Sequence, residues 1–114
     1  MKVAEVKVDP GTLPVTGFMV PVGFFGSIRA AAGESGGEIN IRPGATVYDL
    51  MQTISDTYGK KMSDELLDSK APSGLREDIM ITVNEATINH INASGTLINA
   101  GDNVALYPMF LGGG

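Results

Sequence analysis

The sequence predicts an α+β fold, one sheet with a helix packed across it. Three observations lead there. Apolar residues alternate with a period of two along residues 18–28 and again along 38–42. One stretch, 46–58, carries apolar residues at helical spacing between a capping threonine and a glycine. Short alternating runs return at 79–83 and 103–107. Hairpin, helix, then strands is the order of one sheet covered on a face, not of repeating β-α units.

Residues 2–8 alternate, and the turn signal Asp9-Pro10-Gly11 follows them. They read as one edge strand inside an N-terminal extension over 1–17, and the domain proper spans 18–114. Along 18–28, Val20, Val22, Phe24, Gly26 and Ile28 share one face, while Met19, Pro21, Gly23, Phe25 and Ser27 share the other. Pro21 has no N–H to give a ladder, so an edge or a bulge is expected beside it. Gly33, Gly36 and Gly37 make 29–37 a hairpin loop, and 38–42 returns with Ile39 and Ile41 inward. Pro43-Gly44 breaks that strand. Thr46 is placed as a helix N-cap, with Asp49 near the positive end of the helix dipole. Val47, Leu50, Met51, Ile54 and Tyr58 form the buried stripe, and Gly59 stands at the C-cap. Ser63-Asp64-Glu65 opens a shorter helix through Lys70, with Leu66 and Leu67 apolar, ended by Pro72-Ser73-Gly74. Ile79, Ile81 and Val83 line one side of the next strand, Asn84-Glu85 turns the chain, and 86–88 pairs back. Residues 93–95 are loop, 96–98 a short extended piece, and Ala100-Gly101-Asp102 a tight turn. The last strand, 103–107, points Val104 and Leu106 inward.

Composition narrows the function. The 114 residues fit one domain with one small core. A formal charge of −5 argues against nucleic acid and anionic membranes and suits a partner with a basic docking surface. Cysteine is absent, which removes disulfides, thiolate metal sites and a thiol nucleophile. One histidine does not make a zinc site, so no metal is expected. No apolar run approaches the roughly 20 residues of a membrane span, and the N-terminus lacks a signal-peptide core. A cytoplasmic protein is the expectation.

The chain closes on Gly112, Gly113 and Gly114 after the apolar run Leu106-Tyr107-Pro108-Met109-Phe110-Leu111. Without Cβ atoms such a tail is thin and flexible enough to enter a narrow active site. Its terminal carboxylate is the one reactive group it presents. That suits a protein that is itself a substrate, activated at its C-terminus by another enzyme; a plain flexible end is the alternative.

Phe24-Phe25-Gly26-Ser27-Ile28-Arg29 followed by Ala31-Ala32-Gly33 resembles the opening hairpin of the MoaD and ThiS sulfur-carrier proteins. Val83-Asn84-Glu85 resembles their "VNG" turn. Ala100-Gly101-Asp102-Asn103-Val104-Ala105-Leu106-Tyr107-Pro108 before the glycines resembles their "DGDEVAxxP…GG" ending. The resemblance covers about residues 18–114 and is nearest to MoaD, the small subunit of molybdopterin synthase. It implies a β-grasp (ubiquitin-like) fold, a mixed sheet with one main helix across it. It implies no bound cofactor and two partners. A ubiquitin-activating-enzyme-like adenylyltransferase uses ATP to turn the terminal carboxylate of Gly113 or Gly114 into an acyl-adenylate, and a persulfide then yields a thiocarboxylate. In the MoaD branch the large synthase subunit receives that sulfur for molybdopterin. The sheet face near the tail docks on these partners, which places Phe25 and Tyr107 at the interface and Phe110, Leu111 and Gly112 in the lead-in. Three features depart from the family: Gly114 is one residue extra, 1–17 has no counterpart, and the 87–94 loop is long.

Other functions share parts of the same pattern. A ubiquitin-like modifier joined to lysines shares the tail chemistry up to the adenylate, sulfur carriage for thiamine or another metabolite shares all of it, and a simple binding module shares only the fold. His90 reads as a surface histidine, and the glycines at 33–37 as a turn, since the Walker lysine is missing. Asp64, Glu65 and Asp68 read first as a solvated helix face and second as a dock for a basic partner. Phe25, Met80 and Tyr107 fall opposite the core and predict an apolar patch for protein binding unless the extension or the second helix covers it.

Overall fold

The computed structural model describes residues 17–109. Along the chain come β1 (Phe18–Phe24), α1 (Gly26–Ala32), β2 (Gly36–Ile41), α2 (Val47–Tyr58), α3 (Lys60–Leu66), β3 (Ile79–Val83), β4 (Ala86–Ile88) and β5 (Val104–Pro108). A 3-10 helix, His90–Gly95, lies between β4 and β5. The strands form one mixed sheet in the order β2-β1-β5-β3-β4. β1 runs parallel to β5, and every other pair is antiparallel. This is the α+β, β-grasp arrangement. The extension over 1–16 and the tail over 110–114 lie outside the described residues.

α2 is the element the sequence specifies most completely. Thr46 Oγ1 accepts from the Asp49 N–H at 3.2 Å, and Asp49 Oδ2 accepts from the Thr46 N–H at 2.9 Å, a reciprocal capping box. A 12-residue helix is marginal alone, so packing must hold it. Val47, Leu50, Met51 and Ile54 supply that packing, each fully buried against the sheet. From the sheet side Val20, Val22, Phe24, Ile39, Ile41, Ile79, Ile81, Val104 and Leu106 point into the same core, matching the inward face read from the alternation. Phe24 meets Tyr58 of α2 edge-on, with ring centroids 5.2 Å apart.

Pro21 sits where its missing N–H does no harm. It pairs with Glu38 of β2, and the ladder to β5 begins only at Val22.

Four local readings need correction. The period-two run does not continue to Ile28: β1 ends at Phe24, and Gly26–Ala32 is helical rather than strand and hairpin loop. Ile28 is still buried, delivered by a helix face instead of a strand face. The second helix starts at Lys60 and ends at Leu66 instead of running from Ser63 to Lys70, with Gly59 serving both as the last cap of α2 and the first of α3. That earlier start buries Met62 along with Leu66. The segment at 93–95 is part of the 3-10 helix, not open loop. His90 is half-buried, and its Nε2–H donates to the Ile79 carbonyl at 2.7 Å, tying that helix to the start of β3.

Candidate functional site

The candidate site is the end of the sheet at which β5 finishes, at Pro108 and Met109. Three restraints fix that end. Pro108 stands opposite Ile79 in the β3–β5 ladder. The Met109 N–H donates to the Asp78 carbonyl at 2.8 Å. Pro108 also lies hard against Gly26, where a Cβ would come within 2.6 Å of the proline Cγ. Gly26 has φ +57, a value that L side chains tolerate poorly. Both facts demand glycine at the junction where the chain leaves β1 and enters α1. Gly26→Ala is therefore expected to lower stability by roughly 1–3 kcal/mol. Denaturant unfolding measures this, and a wild-type midpoint would show that the junction has slack.

Arg76 braces the same corner. Its Nε and Nη2 donate to the two Asp78 carboxylate oxygens at 2.9 and 2.6 Å, and its Nη1 donates to the Asp64 carbonyl of α3 at 3.0 Å. The bond to the guanidinium holds the Asp78 carboxyl below its ordinary range, and the same bond raises Arg76. Both side chains are nearly half exposed, so the pair orients the corner more than it stabilises the fold.

Beside the tail base lies the aromatic platform. Phe25 follows β1 as the N-cap of α1, and its ring turns back over Gly23 on the outer sheet face. It stacks on Tyr107 with centroids 4.4 Å apart and planes 11° from parallel. Phe25 is 44% exposed despite its size. Met80 stands opposite Tyr107 across the β3–β5 ladder and is half-buried. The three residues expected on the outer face are thus brought together, and α3, one of the two expected covers, packs with α1 instead, through the Ser27–Glu65 hydrogen bond of 2.8 Å.

The acidic residues divide. Asp64 is bonded to Lys60 at 3.0 Å, Glu65 accepts from Ser27, and Asp68 accepts from the Lys70 N–H at 2.9 Å. The expected single solvated helix face is therefore corrected: Asp64 is paired along α3, Glu65 is tied to α1, and Asp68 lies beyond the end of α3 at Leu66. Asp64 and Asp68 also line, with Arg76, Glu77 and Asp78, a depression of about 640 Å³ near the tail base. Sequence reasoning missed Gly23, Gly26 and Asp78. Gly26 was legible in part, as a glycine interrupting a strand pattern. The carbonyl of Asp78 carries no sequence signal.

Phe110, Leu111, Gly112, Gly113 and Gly114 lie outside the described residues. Among the described residues, no cluster of three or more histidine, cysteine or acidic side chains is placed to hold a metal, and no helix is long and apolar enough to cross a membrane.

The mixed five-stranded sheet with helices packed across it places the domain in the β-grasp, ubiquitin-like fold class. The profile of the ThiS family matches residues 22–113, and the chain belongs to that family. The fold is shared with small archaeal modifier protein 1 of Haloferax volcanii (TM-score 0.68, 20% identity, covering 82% of this chain and 100% of that one). It is shared with small archaeal modifier protein 1 of Methanosarcina acetivorans (0.67, 24%, 84% and 97%). A Pyrococcus furiosus protein named "putative molybdopterin converting factor, subunit 1" is also similar (0.63, 26%, 82% and 99%). No protein of curated function matches the chain.

Proposed function

We propose that this chain is a protein substrate whose C-terminal glycine, Gly114 or Gly113, is adenylated by a ubiquitin-activating-enzyme-like partner. ATP is consumed by the partner, and the chain contributes no catalytic group of its own. The carboxylate oxygen attacks the α-phosphorus and pyrophosphate leaves. The acyl carbon, now bearing AMP as a leaving group, is open to a sulfur or amine nucleophile. The observation that carries this reading is the braced exit at Pro108 and Met109 followed by Phe110-Leu111-Gly112-Gly113-Gly114 in the sequence. A fixed base and a thin tail are what in-line delivery into another active site needs. ATP–pyrophosphate exchange by the adenylyltransferase of the same organism tests it: exchange must depend on added chain.

The next acceptor divides the readings. Sulfur carriage for molybdopterin, with a large synthase subunit as second partner, has the MoaD resemblance and the Pyrococcus protein's name behind it. The broader reading has more: the matching profile is that of ThiS, and modifiers of two archaea share the fold. We therefore favour a carrier or modifier not restricted to molybdopterin, with thiocarboxylate formation and lysine conjugation as its two outlets.

Phe25 and Tyr107 are the docking anchors in this account. Phe25 is exposed and Tyr107 half-buried beneath it, and aromatic anchors carry much of the energy of protein contacts. Phe25→Ala and Tyr107→Ala are expected to weaken binding to the adenylyltransferase by more than about 1 kcal/mol, with a smaller change in folding. Calorimetric titration checks this. Wild-type affinity in both variants would move the dock to the acidic depression.

A further inference from the structure

The β3–β4 turn breaks a local rule without gain to the fold. Both turn residues have positive φ, 52° at Asn84 and 73° at Glu85, as a two-residue hairpin turn of this hand requires. Asn84 is explained. Asparagine tolerates this region, and its side chain donates to Asp102 Oδ1 and accepts from the Asn103 N–H, both at 2.9 Å. Its own N–H donates to the Asn103 carbonyl at 2.7 Å, so the turn is locked against β5. Glu85 is not explained. Glycine is the unstrained choice there. The glutamate side chain is exposed and makes no hydrogen bond or ion pair with the described residues. Backbone strain of this kind gathers at functional surfaces.

Glu85 stands at one end of a groove of about 460 Å³ along the outer sheet face. Met80, Thr82, Thr87 and Ala105 line it, and Tyr107 closes the other end. Met80 and Val83 are three steps apart on β3, about 10 Å at the extended rise, and Glu85 lies just beyond in the turn. The groove is thus bipolar, aromatic beside the tail base and anionic at the far end.

We infer that Glu85 is a docking residue, and that the groove takes an extended segment of the activating enzyme with an apolar residue over Tyr107 and a lysine or arginine at Glu85. This rests on the proposed function and adds to it the polarity of the partner segment and its direction. The chain's charge of −5 favours such a partner at long range, while Glu85 fixes the register at contact.

Three variants test it against the adenylyltransferase of the same organism: Glu85→Gly, which relieves the strain and removes the charge; Glu85→Gln, which keeps the shape; and Asp56→Asn, on the exposed side of α2. The expected result is an unfolding midpoint for Glu85→Gly at or above wild type. Affinity should fall about fivefold or more for both Glu85 variants at about 50 mM salt, with the gap closing at about 500 mM, and Asp56→Asn should bind as wild type. Wild-type affinity in both Glu85 variants overturns the assignment while leaving the proposed function standing. An equal loss in Asp56→Asn overturns it in favour of undirected charge, and a lower midpoint for Glu85→Gly overturns it in favour of a structural role. If the wild-type chain is not bound at all, the functional reading falls and this one with it.

Discussion

Deleting Gly113 and Gly114 is expected to abolish chain-dependent pyrophosphate exchange and to leave the melting temperature unchanged. The first half follows from chemistry. The shortened chain still ends in a carboxylate, but that carboxylate stands one residue back if Gly113 reacts and two if Gly114 does, by about 3–7 Å at the extended rise. Misplacement of only about 1 Å costs on the order of a hundredfold in rate, so a shift of this size removes turnover. The second half follows from burial, because glycine has no side chain to remove from water. Among the described residues the last buried apolar side chain is Leu106, two residues before the Pro108 that Gly26 holds. Full exchange by the truncated protein would remove the tail from the mechanism. Loss of exchange accompanied by a lower melting temperature would make the glycines part of the fold.

The second large effect is on stability. Leu50→Ala and Ile54→Ala are each expected to cost roughly 2–5 kcal/mol. Both side chains are fully buried on the face of α2 that meets the sheet. A domain of this size has only about 5–15 kcal/mol in total, so either change brings it near unfolding. Chemical denaturation reads the loss as a shift of midpoint at constant slope. Midpoints equal to wild type would mean that α2 packs through another face.

The two predictions draw on parts of the chain that differ in how openly the sequence states them. α2 was legible because every cue agreed: a threonine cap, an aspartate three residues on, apolar residues at helical spacing and a closing glycine. The inward faces of β1, β3 and β5 were legible for the same reason. α1 was not. Alternation from Phe18 happens to continue past Phe24 to Ile28, because residues four apart can share either a strand face or a helix face. What separates the cases is Gly26, and its reason is tertiary: a positive φ and the Pro108 ring, which arrives from the far end of the sequence. The run Ala30-Ala31-Ala32 was a helix signal in plain view, outweighed in that reading by the glycines after it. α3 starts three residues before its Ser63-Asp64-Glu65 cue because Gly59 both ends α2 and begins α3.

At the site, Phe25, Met80 and Tyr107 were placed correctly on the outer face by parity alone. Their mutual geometry was not available from parity. Phe25 reaches Tyr107 only because the chain turns at Gly26 and leaves Gly23 bare beneath the ring. The brace of Arg76, Asp78 and Met109 was illegible as well, since its last link is a backbone hydrogen bond across the β3–β5 edge.

The central claim is covalent chemistry at the terminal glycine. The most direct measurement is the mass of the chain isolated from its own cells, intact and after proteolysis. The account predicts an intact species heavier by about 16 Da, sulfur replacing oxygen at the terminal carboxylate, or terminal glycine peptides joined to lysines of other proteins, both products of the acyl-adenylate. A chain found only with a free, unmodified carboxylate, under conditions where its adenylyltransferase is present and active, would contradict it.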